Sequence, residues 1–321
     1  MELLNVDEVK ALLVGHKRCL IGVSGGLDSM ALVTWINQHK SQFPVEFHVM
    51  YVDHGIHEQS ANWGEFVTTY CKQIGMPCTV QKVSLDGLGN NLEYAARRAR
   101  YKAFCDFEFE SLIIAHHIND QCENFLLKLF RGSGVKGLSA MPKSCECWYN
   151  SNVTLIRPML SVTRSQIENW AEENCVPNIV DSSNLDNRYD RNYIRNKIWP
   201  IVQDRFDIAD INAVRSIAHI SEAWELVTEL ADMDIQKTSI SDGVLDWEKL
   251  KSLSYIRIKN VILRILGKEN IYNFSINHVE QFSQGLKDAN MDSRNELSLK
   301  GFSIRKIGKR INVSINPRTT L

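Results

Sequence analysis

The stretch LIGVSGGLDSMALV, residues 20–33, constrains the fold of this chain more than any other. It opens with a short apolar run of the kind found in buried parallel strands. Two adjacent glycines then allow a sharp turn, and an apolar pattern compatible with a helix follows from Asp28. Strand, glycine turn and helix N-terminus direct several N–H groups to one point, which favours an anionic phosphate. The sequence therefore predicts a phosphate-binding loop between a strand and a helix.

The first half of the chain repeats this alternation of strand and helix. Apolar runs at 18–23, 46–52, 78–83 and 111–115 are separated by helical patterns at 28–39, 58–74 and 92–108. Strands separated by helices of this length indicate βαβ units. We therefore predict an α/β fold with a doubly wound parallel sheet, in which ligands bind beyond the carboxyl ends of the strands.

The pattern changes near residue 211, where longer helical segments begin. Helical patterns at 211–234, 255–266 and 277–286 precede a basic strand-like stretch, LKGFSIRKIGKRINVSI. We predict a catalytic domain over residues 1–210 and a second, smaller, mostly helical domain over residues 211–321.

Composition narrows the class of protein. The 321 residues contain no apolar run near the roughly 20 residues of a membrane span, and the N-terminal segment does not resemble a secretory signal. We therefore expect a cytoplasmic protein whose eight cysteines are reduced and which has no membrane partner. A net charge of −1 with local basic clusters neither indicates nor excludes nucleic-acid binding. The oligomeric state stays open, and a homodimer is one alternative.

The residues around the two glycines distinguish between kinds of phosphate loop. A Walker loop requires Lys after its glycines and a dinucleotide fingerprint requires three spaced glycines, and SGGLDS satisfies neither pattern. It resembles instead the pyrophosphate-binding loop of the N-type ATP pyrophosphatases, which cleave ATP between the α- and β-phosphates and activate a substrate oxygen as an adenylate. An acid within an anion site is explained if it carries Mg²⁺, so Asp28 is the expected metal ligand. The expected ATP-binding residues of the loop are Ser24, Gly25, Gly26, Leu27, Asp28 and Ser29.

Further blocks of sequence extend this resemblance. They are VDHGIHEQSANWGEFV (52–67), LEYAARRARYKAF (92–104), AHHINDQCENFLLKLFRGSG (115–134) and DSSNLDNRYDRNYIRNKIWP (181–200). In order and spacing they resemble the tRNA(Ile)-lysidine synthases, a family of the PP-loop superfamily with an adenine nucleotide alpha hydrolase-like fold. The C-terminal part resembles the first C-terminal domain of that family, a tRNA-binding domain, and some longer members carry a further domain.

The resemblance implies a ligation in two steps. ATP, with Mg²⁺, adenylates the C2 oxygen of the cytidine at anticodon position 34 of tRNA(Ile) with a CAU anticodon. The ε-amine of free L-lysine then attacks C2 and displaces AMP. The products are lysidine in the tRNA, AMP and pyrophosphate.

Charged pairs within these blocks are candidates for the chemistry. Arg97 and Arg100 are three residues apart and project from one helix face, where they can hold a phosphate or a carboxylate. Asp120 and Glu123 repeat this spacing and can seat an amino group of lysine or help to hold Mg²⁺, although the helix dipole alone also favours acids there. We expect Asp28, Arg97, Asp120 and Glu123 to be catalytic.

Other positions are candidates for binding nucleotide or tRNA. Asp53 and His54 follow the second strand and are expected to approach ATP, with a capped strand end as the alternative for Asp53. Asp190 can orient Arg191 or Arg195, which we expect near the tRNA backbone. The substrate-binding candidates are Arg100, Asn124, Arg131, Gly132, Arg191 and Arg195, and the glycine belongs to a loop expected to close over the adenylate.

At one position the chain departs from the family pattern. Where an Asp-Asp pair is common, this chain has Asn119 and Asp120. We therefore assign a role to Asp120 and none to Asn119. The preceding His116 and His117 can contact substrate or simply cap the end of a strand.

Three alternative functions stay open. A tRNA thiolase of the same superfamily also adenylates a base, but such enzymes usually use reactive cysteines or an iron–sulfur cluster, and this chain has no C-x-x-C motif. A small-molecule amidotransferase or synthetase needs no RNA surface. A non-catalytic module would bind tRNA without ATP and release no pyrophosphate.

Overall fold

The structure, a computed structural model, describes residues 2–55, 60–85, 92–271, 274–299 and 301–315. The chain divides into two compact units, Met1–His219 and Ile220–Leu321. Within the described ranges, no helix is both long enough and apolar enough to cross a membrane.

A six-stranded sheet forms the centre of the described part of the first unit. Its strands are β1 Arg18–Val23, β2 Glu46–Asp53, β3 Cys78–Lys82, β4 Ser111–Ile113, β5 Ser144–Glu146 and β6 Thr154–Ile156. They lie in the order β3-β2-β1-β4-β6-β5, and neighbouring strands are parallel except β5 and β6. This topology confirms the predicted doubly wound α/β fold.

Helices connect these strands, as the sequence predicts. They are α1 Val6–Leu12, α2 Leu27–His39, α3 Ser60–Gln73, α4 Leu92–Cys105, α5 Ile118–Phe130, α6 Val135–Leu138, α7 Arg164–Glu173, α8 Asp190–Tyr193 and α9 Trp199–Arg205. A π-helical turn, Ile194–Ile198, joins α8 to α9, and short 3-10 turns lie at Lys40–Gln42 and Ser182–Leu185. Residues 56–59, which contain the predicted start of the second helix, lie outside the described ranges.

Strand β1 is buried on both of its faces. Cys19 and Ile21 belong to one apolar cluster, whereas Leu20 belongs to another on the opposite face. Burial on both faces is characteristic of a central parallel strand covered by helices. Helix α2 is buried along most of its length, from Ser29 to Ile36. The loop between β1 and α2 is therefore held at both ends by the core.

The order of the strands reverses at β1, because β2 lies on one side of it and β4 on the other. A crevice forms at the carboxyl ends of the strands at such a reversal. The loop after β1 begins at Ser24, and the segment after β4 leads to His116 and His117. The predicted strand exits therefore meet where ligands bind in folds of this kind.

The second unit combines helices with an antiparallel sheet. Its elements are the C-terminal part of α10 Ala209–Thr238, helices α11 Trp247–Ser252, α12 Tyr255–Lys268 and α13 Ile276–Asp288, and strands β7 Ser239–Ser241, β8 Val244–Asp246, β9 Asn295–Leu299, β10 Phe302–Ile307 and β11 Arg310–Ile315. In the described residues the sheet has the order β7-β8-β11-β10-β9. The predicted basic stretch thus forms a hairpin within a larger sheet. The domain boundary proposed at residue 210 stays a prediction.

Lys306 of β10 is buried in this unit, with 1% of its surface exposed. Its ammonium group donates to the carbonyl oxygens of Asn290, Met291 and Ser293 at 2.8, 3.2 and 3.0 Å. The same group lies 4.2 Å from the centre of the Trp247 ring. These contacts connect the segment before β9 to β10.

Candidate active site

Gly25 turns the chain between β1 and α2. Its φ of +83° lies in the left-handed region that side chains rarely adopt. A Cβ at this position would also lie 2.9 Å from Cδ1 of Ile179. The Ile179 N–H donates to the Gly25 carbonyl at 2.9 Å, so residues after α7 pack against this turn. The conformation favours glycine, and a side chain here would also displace the terminal methyl group of Ile179.

The N-terminus of α2 is open for an anion. Gly26 is the N-cap residue and has no side chain to cap the helix, and the first helical bond joins the Met30 N–H to the Gly26 carbonyl. The N–H groups of residues 27–29 therefore precede the first helical bond. The hydroxyls of Ser24 and Ser29 lie 3.3 Å apart beside them. This loop can bind phosphate oxygens by amides, hydroxyls and the helix dipole.

Asp28 places a carboxylate at this loop, where it contacts two cationic or polar side chains. Arg164 donates from Nη1 to Oδ1 at 2.6 Å, and Nε2 of His117 lies 3.7 Å from Oδ2. The described residues contain no group of three or more acidic, Cys or His side chains placed to hold a metal. Mg²⁺ commonly binds one or two carboxylates together with substrate phosphates, so a single carboxylate beside the loop fits it.

Asp120 and Glu123 of α5 form a charged cluster with Arg191 and Arg195. Glu123 accepts from Nε of Arg191 at 2.7 Å and from Nε and Nη2 of Arg195 at 2.6 and 2.9 Å. Asp120 accepts from Nη2 of Arg191 at 2.6 Å. The Glu123 side chain is only 2% exposed, whereas the two arginines are 32% and 38% exposed. The predicted acid pair is therefore buried behind two partly exposed guanidinium groups.

Asp120 also caps α5. Its Oδ2 accepts from the His117 N–H at 2.9 Å, and the His117 ring accepts from the Asn119 N–H at 3.2 Å. Burial alone raises the pKa of Asp120, but His117 and Arg191 outweigh burial and lower this pKa to about 2. Asp120 is therefore ionised at neutral pH.

Two cavities adjoin the loop in the described part of the chain. The α7 cavity, of about 550 Å³, is lined by Gly26, Leu27, His117, Glu123, Arg164 and Trp199, among others. The α4 cavity, of about 340 Å³, is lined by Ser29, Arg100, Tyr101, His116, Asp120 and Arg191, among others. Ser24, Asp28, Asn184 and Arg195 line both cavities. The predicted loop and acid pair thus lie where the cavities adjoin.

Arg100 adds positive charge to the α4 cavity. No carboxylate is paired with its guanidinium among the residues that the structure describes. Burial, together with the neighbouring charges of Arg97 and Arg191, lowers its pKa. Burial and Arg100 also lower the pKa of His54 to about 4, so His54 is neutral at physiological pH. A partly exposed guanidinium that lines a cavity without an acidic partner favours an anionic ligand.

His116 is held as a neutral ring at the same cavity. Arg157, which is 7% exposed, donates from Nε to His116 Nδ1 at 3.3 Å. An acceptor role at Nδ1 places the proton of the neutral imidazole on Nε2. Burial lowers the pKa of His116 to about 3, and Arg157 and other nearby arginines act in the same direction. His116 is therefore a hydrogen-bond donor at the cavity and a poor base.

Other predicted site residues lie outside these cavities in the described structure. Asp53 accepts from the Gly55 N–H at 2.9 Å and so caps the end of β2. Arg97 stacks over the Tyr101 ring at 5.0 Å. Neither residue lines the two cavities, and the same holds for His54 and Asn124. Their predicted ligand contacts stay predictions.

The structure gives Arg131 and Gly132 local roles. Arg131 donates to Asp190 at 2.7 Å on the surface. The expectation that Asp190 orients Arg191 or Arg195 is therefore wrong. Gly132, with a φ of +72°, ends helix α5 in the left-handed conformation that often terminates helices. The Gly132–Gly134 loop leads directly into the short helix α6, and its closure over the adenylate stays a prediction.

Several cavity residues have no equivalent among the sequence predictions. Arg164 follows the capping residue Thr163, and its backbone N–H donates to Oδ1 of Asn119 at 3.1 Å. Asn119, to which no role is assigned on sequence, therefore joins α5 to α7 and lines the α7 cavity. No local pattern identifies these contacts, because they depend on helices that are far apart in sequence.

Comparison with known proteins identifies the family. The PP-loop domain family matches residues 2–202. A tRNA(Ile)-lysidine synthase of Haemophilus ducreyi is 34% identical over 91% of this chain and 67% of its own length. The enzyme of the same name from Proteus mirabilis is 32% identical over 97% of this chain and 71% of its own length. The chain belongs to the tRNA(Ile)-lysidine synthase family. This confirms the resemblance found in the sequence.

The chain spans only part of the length of the lysidine synthases that it matches. It spans 58% of the length of the Acinetobacter baylyi relative, with which it is 37% identical over 86% of the present chain. Among solved structures, the U34-tRNA thiolase NcsA from Methanococcus maripaludis, described with its 4Fe-4S cluster, has a TM-score of 0.53 and 18% identity. That match covers 68% of this chain and 76% of the thiolase chain. The likeness concerns the fold alone.

Proposed function

We propose that this chain ligates lysine to C2 of the cytidine at position 34 of tRNA(Ile) with a CAU anticodon. The reaction consumes ATP through an adenylated tRNA and releases AMP and pyrophosphate. The observation that carries the proposal is the open N-terminus of α2 at the meeting point of two charged cavities. Membership of the lysidine synthase family supports the choice of tRNA and amine. We place this reaction in the cytoplasm.

The loop from Ser24 to Ser29 is proposed to hold the β- and γ-phosphates. The N–H groups of residues 27–29 precede the first helical bond, and the hydroxyls of Ser24 and Ser29 are held in the loop by hydrogen bonds to its backbone. Donors fixed in advance stabilise charge that develops on a leaving group without a cost of reorganisation. Cleavage between the α- and β-phosphates therefore releases pyrophosphate into a site that already binds it.

Asp28 is the residue proposed to hold Mg²⁺ together with phosphate oxygens. When bound, the ion would neutralise charge on the leaving pyrophosphate. The loop amides and Asp28 act on the same phosphates from one short segment of chain. Loss of this carboxylate should therefore prevent adenylation without exposing any apolar core.

The acid pair is proposed to seat an amino group of lysine. Asp120 stays ionised because its pKa is lowered to about 2, and Glu123 lies beside it on the same helix face. Arg191 and Arg195 hold these carboxylates in place before lysine enters. Buried acids paired with partly exposed arginines favour a ligand that carries both a cationic amine and a carboxylate.

The α4 cavity is proposed to receive the nucleotide at the reacting centre. Arg100 supplies an unneutralised positive charge for a phosphate, and Arg97 lies on the same helix. His116 donates from Nε2 and does not take a proton, since Nδ1 is already engaged by Arg157. We assign no general base for the ammonium of lysine.

The proposal is tested by incubating the full chain with ATP, labelled lysine and tRNA(Ile) transcripts. We expect label on the transcript with a CAU anticodon, with AMP and pyrophosphate released in equal amounts, and none on a transcript with U34. Asp28→Asn should abolish label and pyrophosphate release, whereas Asp106→Asn, at an exposed ion pair, should retain both.

Each other outcome contradicts the proposal in a different way. Sulfur incorporation that requires ATP but not lysine would indicate a thiolase. Pyrophosphate release without any tRNA would indicate a small-molecule synthetase. Binding of tRNA with no nucleotide cleavage would indicate a non-catalytic module, and release of ADP would refute the assignment of the loop.

A further inference from the structure

Arg164 brings a cation to the phosphate loop from outside it. Arg164 is the first residue of α7, and its side chain lines the α7 cavity beside Gly26 and Asp28. Its Nη1 donates to Asp28 Oδ1 at 2.6 Å, and its Nε donates to Glu168 at 2.8 Å. The guanidinium therefore lies next to the groups that face the terminal phosphates.

The base of this side chain is fixed. Thr163 and Gln166 form a reciprocal capping box at the start of α7, with bonds of 2.8 and 3.2 Å. The backbone N–H of Arg164 donates to the Asn119 side chain of α5 at 3.1 Å. The Arg164 side chain is nevertheless 40% exposed. Arg164 thus combines an anchored backbone with a guanidinium that is free to change partners.

The present partners of Arg164 bind it weakly in comparison with other ion pairs of the site. The side chains of Asp28 and Glu168 are 29% and 52% exposed, so water solvates both carboxylates. Such exposed pairs contribute little free energy. Glu123, the partner of Arg195, is only 2% exposed, and separating that pair leaves a buried charge. Of these two arginines, Arg164 is the one that a polyanion can recruit.

We propose that Arg164 binds the pyrophosphate part of the nucleotide and its released product. In the ligand-free chain its guanidinium neutralises Asp28. When a triphosphate occupies the loop, Nη1 moves from Asp28 to the terminal phosphate oxygens, which carry more negative charge than one carboxylate. This exchange releases the Asp28 carboxylate. The inference rests on the proposed function for the identity of the nucleotide, but it concerns a residue outside the loop.

The first test measures binding to the full chain by calorimetry, with inorganic pyrophosphate and AMP as probes. Arg164→Gln should weaken the binding of pyrophosphate about tenfold or more, because a charge-assisted hydrogen bond is lost. The affinity for AMP, which lacks the terminal phosphates, should change less than about twofold. Arg164→Lys should restore part of the affinity. The matched control is Arg98→Gln, an exposed arginine of α4 that lines neither cavity, and it should bind both probes normally.

A second test uses the present pairing of Arg164 with Asp28. In EDTA, Asp28→Asn should tighten pyrophosphate binding, because the competing carboxylate is removed. That gain should be at least about threefold larger with Arg164 than in the Arg164→Gln background. A merely structural role for the ion pair predicts no such gain. This comparison also tests the proposal if Arg164→Gln alone folds poorly, since Arg164→Ala, which likewise removes the cation, can replace it.

Two results would overturn the inference: unchanged pyrophosphate affinity in Arg164→Gln, or equal losses for pyrophosphate and AMP. Pyrophosphate binding requires neither lysine nor tRNA. A chain that binds pyrophosphate through Arg164 but transfers no lysine would therefore refute the proposed function and leave the anion site standing. A chain that transfers lysine but binds pyrophosphate independently of Arg164 would support the proposed function and refute the role of Arg164.

Discussion

Glu123 provides the strongest test of how the charged cluster contributes to the fold. In Glu123→Gln the side chain keeps its shape but loses its charge, and an amide NH₂ replaces one carboxylate oxygen. That NH₂ group faces guanidinium donors of Arg191 and Arg195, which now contact Glu123 at 2.6 to 2.9 Å. At least one charge-assisted bond is lost, and a donor is placed against a donor.

The magnitude follows from the burial of this side chain. A hydrogen bond to a charged group contributes roughly 1.5–3 kcal/mol, and removing one partner of a buried ion pair costs roughly 3–5 kcal/mol. Glu123 is 2% exposed, but the two arginines are 32% and 38% exposed and can be hydrated. We therefore expect a loss of about 3 kcal/mol in the free energy of unfolding. For a unit of this size, that loss lowers Tm by roughly 6–12 °C.

Thermal and guanidinium unfolding, followed by far-UV circular dichroism, measure this loss. The control is Asp106→Asn, which removes an ion pair whose side chains are 58% and 60% exposed. The control should change the free energy of unfolding by less than about 0.5 kcal/mol. If Glu123→Gln is no less stable than the control, the cluster does not stabilise the first unit, and the reasoning from burial is wrong.

Three further predictions concern other parts of the chain. Gly25→Ala should lower the free energy of unfolding by about 2 kcal/mol and weaken ATP binding, because of the positive φ and the Ile179 contact. The control Gly134→Ala, where the added methyl group meets open space, should leave the melting temperature unchanged. Because the pKa of Asp120 is lowered to about 2, its stabilisation should be complete above about pH 4 and lost as the pH falls towards 2. Acid unfolding of Asp120→Asn should lack this component; an unchanged slope would contradict it. Lys306→Met should destabilise the second unit by roughly 2–4 kcal/mol in denaturant, since its carbonyl partners lose their donor, and an unchanged midpoint would exclude that role.

The centre of the first unit could be predicted from local pattern. The first strand is predicted at 18–23 and found at Arg18–Val23, and the helix after it begins one residue earlier than predicted. A buried run, a glycine turn and an apolar helix leave little freedom there. Strand β5 could not be predicted, because its three residues form a strand only by pairing with β6. The 3-10 and π turns likewise leave no periodic signal.

The candidate site likewise contains residues that local sequence predicts and residues that only the fold brings together. The loop at 24–29 and the acid pair of α5 have spacing that local sequence reveals. The contact of Arg164 with Asp28 joins residues 136 positions apart and depends on how α7 packs. An arginine at the start of an amphipathic helix has no local signature of function. The sequence predicts Arg191 or Arg195 as the partner of Asp190 because they are its neighbours along the chain. The observed partner, Arg131, is brought to it only by the fold.

Four side chains line both the α7 cavity and the α4 cavity: Ser24, Asp28, Asn184 and Arg195. A substitution at any of these positions that changes ligand binding in one cavity therefore also changes the lining of the other cavity. Selectivity for each reactant can be changed separately only at residues that line a single cavity. Examples are Gln203 in the α7 cavity and Phe104 in the α4 cavity. A substitution at one of the four shared positions must therefore be compatible with the ligands of both cavities.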